Sequence, residues 1–220
     1  MPHDPYKEKR EQMLIHQIER RGIKDQRVLS ALRIVPRHHF VPSSSVSDAY
    51  SDFPLRIKCG QTISQPYIVA LMSDLLKLEG RENVLEIGTG SGYQAAILAK
   101  LAKTVHTVER HPSLAESAEI KLRELAFENV QVHHADGSNG WPPAAPYDGI
   151  LVTAAAPQAP PPLLKQLAEG GRLVIPVGSR PSQTLQVWQR KGDQYLCNDI
   201  LAVAFVPLRG EHGWQEEEWR

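Results

Sequence analysis

The chain has 220 residues, and its 25 Lys and Arg are matched by 25 Asp and Glu, so it carries no formal net charge at pH 7. That balance argues against a dedicated nucleic-acid binder, while 41% hydrophobic and 23% charged residues describe a folded globular protein rather than a disordered one. Two cysteines, Cys59 and Cys197, are too few for a disulfide framework; the charged start MPHDPYKEKREQ lacks the apolar stretch of a secretory leader; and no run nears the roughly 20 apolar residues of a membrane span, so a cytoplasmic protein is expected.

Residues 6–33 show two runs of helical period, Met13, Leu14, Ile18 and then Val28, Leu29, Leu32, broken at Gly22. Pro36 and Pro42 end them. Residues 43–65 mix Ser, Asp, Pro and Gly without period and read as a long ordered loop, which in a compact domain implies a lid or a binding segment. Tyr67, Ile68, Leu71, Met72, Leu75 and Leu76 then restore helical spacing with a face for the core. From there strands and helices alternate: NVLEI (83–87), GYQAAILAKLA, TVHTVE, PSLAESAEIKLRELA, VQVHHAD, YDGILVTAA, a helix PPLLKQLAEGG with a Pro start and a Gly stop, and GRLVIPVG. TLQVWQRK and YLCNDILAVAFVPL, joined by Lys191, Gly192 and Asp193, form a hairpin, and the closing EEEWR reads as a solvated, mobile end. The expectation is one domain over 1–220 built on an α/β sheet, mostly parallel, with helices on both faces and antiparallel strands at one edge. Ligands of such sheets bind outside the carboxyl ends of the strands.

At the end of the first of these strands stands Gly88-Thr89-Gly90-Ser91-Gly92, and a helix begins at Tyr93. Missing Cβ atoms let a ligand lie against the main chain near a helix N-terminus. A dinucleotide fingerprint would need glycine at 93, where Tyr93 stands, so the pattern disfavours a nicotinamide enzyme. Glu109 closes the next strand, 21 residues beyond Gly88, as suits a carboxylate accepting ribose hydroxyls, and Asp136 closes the third. With Glu86 these carboxylates favour a cationic or hydroxyl-rich nucleoside over a pyrophosphate. Each taken singly is equally a turn former or a solvated charge. The pairs His38-His39 and His133-His134 lack partners at zinc-like spacing, and adjacent strand residues face opposite ways, so no metal site is expected. No G-x-S-x-G elbow occurs, and Cys59 reads as an incidental small residue. The residues on their own amount to a nucleoside-binding α/β enzyme.

VLEIGTGSGYQAAILAKL with HTVER, ADG, APYDGILVTAAAP, QLAEGGRLVIPVG and the upstream GQTISQP resembles the protein-L-isoaspartate O-methyltransferases of class I, the S-adenosyl-L-methionine-dependent methyltransferases, from about residue 10 to Val206-Pro207-Leu208. GQTISQP is the specific part. The resemblance implies a Rossmann-like, mostly parallel seven-stranded sheet with an antiparallel last strand and an N-terminal helical extension. It divides the chain into N-terminal helices and a covering loop (1–80), a cofactor-binding core (81–180) and a hairpin and tail (181–220). By motif, it implies that Glu86, Gly88, Thr89, Gly90 and Gly92 line the methionine and sugar part of S-adenosyl-L-methionine, Glu109 its ribose, and Asp136 with Gly137 its adenine. Thr62, Ile63 and Ser64 would cover the donor methyl, with Ser64 the catalytic residue, while Ser64 and Val206-Pro207-Leu208 would meet the peptide. The implied partners are isoaspartyl proteins and peptides, not nucleic acid or membrane, and a monomer is the default. Alternatives are another acceptor, small molecule or RNA, or a non-catalytic adenosylmethionine-binding module. Two stretches depart from the family pattern: Leu55-Arg56-Ile57-Lys58-Cys59, where a proline and then a glycine are usual, and Gly137 to Trp141. Arg56 and Lys58 could assist a carboxylate substrate or simply be solvated.

Overall fold

The computed structural model describes residues 4–180 and 182–219; the first three residues of the charged N-terminal segment, Pro181 and Arg220 lie outside them. Helix α1 (Lys7–Met13) continues as a π-helical turn through Ile18 and stops at Gly22, whose φ of +96° is the left-handed cap that glycine adopts without strain. Asp25 then starts α2 (Gln26–Ile34) by accepting hydrogen bonds from the Arg27 and Val28 amides. The unperiodic stretch folds into a 3-10 turn (Ser43–Asp48) and a small antiparallel hairpin, β1 (Leu55–Arg56) against β2 (Thr62–Ile63), before α3 (Pro66–Leu75).

The expected alternation follows as β3 (Asn83–Ile87), α4 (Tyr93–Ala99), β4 (Thr104–Glu109), α5 (Pro112–Glu124), β5 (Val130–His134) and β6 (Tyr147–Val152). It ends in α6 (Pro161–Lys165), β7 (Leu167–Val177), β8 (Gln183–Lys191) and β9 (Gln194–Val203). The seven strands order as β5-β4-β3-β6-β7-β8-β9. β3 to β7 are mutually parallel, β8 is antiparallel to β7, and the last strand β9 is antiparallel to β8. Chain direction reverses at β8, and the expected hairpin closes where Lys191 pairs with Gln194. Alternate strand residues enter opposite cores: Val84, Leu151 and Val174 pack with α1 to α4, while Leu85, Ile150 and Leu173 pack with Leu163 of α6 and with Leu208. Consecutive strands run outward from β3 to β5 and then cross back to β6, so the topological switch lies at the carboxyl ends of β3 and β6.

PPLLKQLAEGG is helical only as far as Lys165. Leu167 pairs with Tyr147 across a register shift, the Tyr147 amide donates to the Gln166 carbonyl at 2.8 Å, and Gly170 (φ +77°) turns the bulged strand. Pairing at the sheet outweighs the local helical pattern. The histidines take structural partners. His38 Nδ1 lies 2.7 Å from the Tyr50 hydroxyl, His106 Nδ1 lies 3.1 Å from His133 Nε2, and the His133 ring stacks on Trp141 with centroids 4.0 Å apart.

Burial lowers the pKa of His106, and of His133, where the neighbouring His106 adds to the effect. Both are therefore neutral in the folded chain at pH values where an unfolded histidine has begun to charge. The stability they contribute is present above the unfolded value of about 6.5 and is lost as pH falls below it. The cost of His133→Gln, read from urea midpoints, is accordingly expected to be smaller at pH 5.5 than at pH 7.5. The difference should stay under about 1 kcal/mol because both rings are partly solvated. An equal cost at both pH values would remove these two groups from the acid response.

Candidate active site

Three glycines in five residues carry the chain from β3 into α4, with φ of +95° at Gly88, +54° at Gly90 and +86° at Gly92. The Gly88 amide donates to the Val108 carbonyl at 2.8 Å, and the Gly90 amide donates to Glu109 Oε2 at 2.9 Å. Glu109 Oε1 accepts the His111 amide at 2.9 Å. The carboxylate at the end of β4 thus spans the glycine loop and the start of α5, and each of its oxygens keeps a lone pair for a ligand hydroxyl. From the other side, Thr153 Oγ1 donates to the carbonyls of Gly88 at 2.7 Å and Ile87 at 3.0 Å.

A cleft of about 320 Å³ opens beside this loop. Of the expected site residues, Thr62, Gly88, Gly90, Glu109, Gly137, Val206, Pro207 and Leu208 line it together. The segment Val206–Leu208 is placed by a short parallel bridge, in which the Ala155 amide donates to Val206 and the Leu208 amide donates to Ala155, both at 2.8 Å. Cys59, Thr153, His111 and Arg209 also line the cleft and were not singled out for it from the sequence. Thr153 directly follows β6, so the rule that ligands gather at strand carboxyl ends could have found it. Cys59 is held at φ +57° with its Sγ 3.6 Å from Ser113 Oγ, which rests the lid on the start of α5.

The remaining expected residues sit around the cleft rather than on its wall. Ile63 is buried in the core. Ser64 is half-buried, with its carbonyl accepting a hydrogen bond from Arg37 at 2.8 Å. Gly92 caps α4. Glu86 and Thr89 lie beneath the loop: Thr107 donates to Glu86 Oε2, the Thr89 and Thr107 hydroxyls are 2.6 Å apart, and Glu86 Oε1 is buried without a partner. Burial, opposed by the Thr107 hydrogen bond and reinforced by the charge of Glu109, pushes the Glu86 carboxyl up to about 8. It is a neutral acid at pH 7.

Asp136 faces the tail. Its carboxylate accepts the Ser138 amide and hydroxyl at 2.9 and 2.8 Å, the Asn139 side chain at 3.4 Å and the Glu211 amide at 2.8 Å. Burial works to raise its pKa, but the donors from Glu211 and Ser138 outweigh it and hold the carboxyl below the ordinary value. Gly210 presses so close that an added Cβ would stand 1.9 Å from Asp136 Oδ1. The turn-forming role of a strand-end aspartate is therefore realised here, with the tail as the second partner. The closing residues Gln215 to Glu218 are solvated, as expected, and carry regular structure. Glu216–Glu218 form a capped 3-10 turn and Trp219 packs edge-on against Trp214, with centroids 5.6 Å apart; Arg220 lies outside the described residues. Arg56 and Lys58 are exposed.

The family model described as protein-L-isoaspartate(D-aspartate) O-methyltransferase matches residues 8–213. A protein-L-isoaspartate O-methyltransferase of Methanoregula boonei is 53% identical over 96% of this chain and 97% of its own length. One of Methanoculleus marisnigri is 50% identical over 99% of both. A solved structure described as a protein-L-isoaspartate O-methyltransferase superposes with a TM-score of 0.85 at 30% identity, covering 93% of this chain and 67% of that one. The Plasmodium falciparum relative, solved in complex with S-adenosyl-L-homocysteine, gives 0.77 at 25% identity over 94% of this chain and 99% of that one.

Proposed function

The chain belongs to the protein-L-isoaspartate(D-aspartate) O-methyltransferase family, and we propose that it methylates the free carboxylate of L-isoaspartyl residues in damaged proteins and peptides, opening their repair through a succinimide. The cofactor is S-adenosyl-L-methionine, consistent with the S-adenosyl-L-homocysteine held by the Plasmodium falciparum relative. The observation that carries the reading is the single cleft in which Thr62 of GQTISQP, Gly88, Gly90 and Glu109, and the Val206–Leu208 segment meet.

The donor set fits such a nucleoside. Glu109 has lone pairs left for two ribose hydroxyls, Gly88 and Gly90 present bare main chain for the methionine part, and Gly137 borders the adenine. Glu86 and Thr89 serve from beneath by supporting the loop, Gly92 by starting α4, and Asp136 by holding the turn at Gly137. When bound, the cofactor supplies an electrophilic methyl group on a sulfonium. The acceptor carboxylate is ionised at neutral pH, so the chain needs no strong base and its task is alignment. Thr62 would cover the reacting atoms from the cleft wall, with Ile63 anchoring that segment in the core; the Ser64 hydroxyl, from the edge of the cleft, would donate to the acceptor carboxylate, and Val206–Leu208 would meet the peptide main chain. Residues 1–80 act as cover, 81–180 as cofactor core and 181–220 as hairpin and closing tail within one domain. A cytoplasmic protein without a nucleic-acid partner is supported by the balanced charge and the two exposed free cysteines, and a monomer by a sequence without a heptad pattern. No helix among the described residues is long and apolar enough to cross a membrane.

Incubation with radiolabelled S-adenosyl-L-methionine and matched isoaspartyl and aspartyl peptides is expected to give base-labile label on the isoaspartyl peptide alone. Ser64→Ala should lower kcat/KM roughly ten- to a hundredfold, the scale of one hydrogen bond to a charged group. Labelling of neither peptide by a protein that still binds S-adenosyl-L-homocysteine would move the acceptor to a small molecule or RNA; no binding at all would reject the cofactor reading.

A further inference from the structure

Arg37, in the turn that follows α2, is fully buried, yet among the described residues it forms no ion pair. Its Nε donates to the Ala49 carbonyl at 2.7 Å, its Nη2 donates to the Ser64 carbonyl at 2.8 Å, and its guanidinium carbon lies 4.8 Å from the centroid of the Tyr93 ring. Nη1 and the Tyr93 hydroxyl are both buried without a partner. Desolvation pulls the Arg37 pKa down, against the pull of Tyr93, Tyr50 and, more weakly, the Asp52 carboxylate, which lies beyond ion-pair distance; a guanidinium keeps its proton in proteins. A buried cation without a carboxylate in direct contact is expensive and is commonly better replaced by an apolar residue if stability alone is at stake. The three groups it touches belong to the N-terminal extension, the lid and the first residue of the helix that leaves the glycine loop.

We propose that Arg37 is a positioning residue: its buried fork pins the Ser64 main chain against the start of the cofactor-loop helix, leaving the Ser64 side chain free to orient the acceptor. The fork geometry suits this task. One planar group fixes two carbonyls from different segments and rests on a ring from a third, which an ammonium cannot do. Beyond Ser64 the chain is equally held, since Gln65 accepts the Ile68 and Val69 amides and Pro66 opens α3. The Ser64 peptide is therefore clamped from both sides. The kinetic consequence rests on the role of Ser64 proposed above; the clamp itself does not.

Arg37→Lys keeps the charge and loses the fork. Amide hydrogen exchange of the folded variant is expected to quicken at least tenfold over residues 61–65 while α5 stays as in the wild type. In kinetics, Arg37→Lys should lower kcat about tenfold with the KM for S-adenosyl-L-methionine within threefold. In a Ser64→Ala background the same change should cost less than twofold, because a residue acting through Ser64 has nothing left to position. Unchanged exchange at residues 61–65, or the same loss of kcat in both backgrounds, overturns the proposal. Arg37→Gln, which retains two donors without charge, is read in the same way if the lysine variant does not fold. Failure of both to fold overturns it too, since Arg37 would then be a folding determinant only. A wild type that methylates neither peptide rejects the proposed function while the exchange experiment still decides the clamp.

Discussion

Gly88→Ala is expected to weaken S-adenosyl-L-homocysteine binding at least a hundredfold in calorimetry, with an accompanying loss of folding stability of about 2–4 kcal/mol. An added Cβ at Gly88 would stand 2.3 Å from Thr153 Oγ1, on a backbone with φ +95°. Thr153 cannot simply rotate aside, because that same hydroxyl holds the Ile87 and Gly88 carbonyls where β3 ends. Relief of the clash therefore breaks the hydrogen bond that this one hydroxyl proton shares between the two carbonyls, or drags the loop off the cleft wall. Gly90→Ala supplies the contrast within the same motif. Its Cβ would meet nothing nearer than Ile57 at 3.6 Å, and φ +54° lies in the left-handed region that an alanine reaches for about 1–2 kcal/mol. The Gly90 variant should fold nearly as well as the wild type. A folded Gly88→Ala protein that bound the product within threefold of wild type would place the cofactor elsewhere.

Glu86→Gln should abolish a stability slope that the wild type shows between about pH 4.5 and pH 8. The Glu86 carboxyl is pushed up to about 8 in the folded chain, so across that interval the native state holds a proton that the unfolded state has released. Its stabilising contribution is complete below the unfolded pKa and drains away as pH rises through the folded one, by at most about 1.4 kcal/mol per pH unit. Histidine burial works in the opposite direction and only below about pH 6.5, so the two separate in a pH series of urea midpoints. Glutamine has the shape of the protonated acid and still offers an acceptor to Thr107; the variant should match the wild type near pH 4.5, already be the more stable of the two at pH 7, and keep its largest margin from about pH 8 upward. A variant that tracked the wild type at every pH would mean that Glu86 ionises normally.

Much of this architecture was legible because alternation in the sequence is alternation in space. NVLEI and TVHTVE match β3 and β4 residue for residue, and Gly22 and Gly92 stand where helices stop and start. Glu109 could be placed at the cleft because its position follows from strand length and direction alone. What stayed hidden depends on distant partners. The hydrogen bond from Glu211 to Asp136 spans 75 positions, and nothing near ADG announces it. The inward turn of Glu86 depends on Thr107 of the neighbouring strand, and the helix expected at 161–171 was cut short by pairing with Tyr147. Arg37 stands between Pro36 and His38 in a stretch with no period, and nothing in that stretch announces that its guanidinium turns inward.

The clasp between Asp136 and residues 210–211 also bears on the order in which the molecule is completed. Segments that shape the mouth of the cleft, Val206–Leu208 and the loop from Gly210, are translated after every strand of the sheet. A chain that stopped at β9 would hold all seven strands and still lack one wall of its ligand site. The seven-stranded sheet alone therefore makes no complete cleft, and the residues beyond β9 belong to the ligand site as much as to the fold.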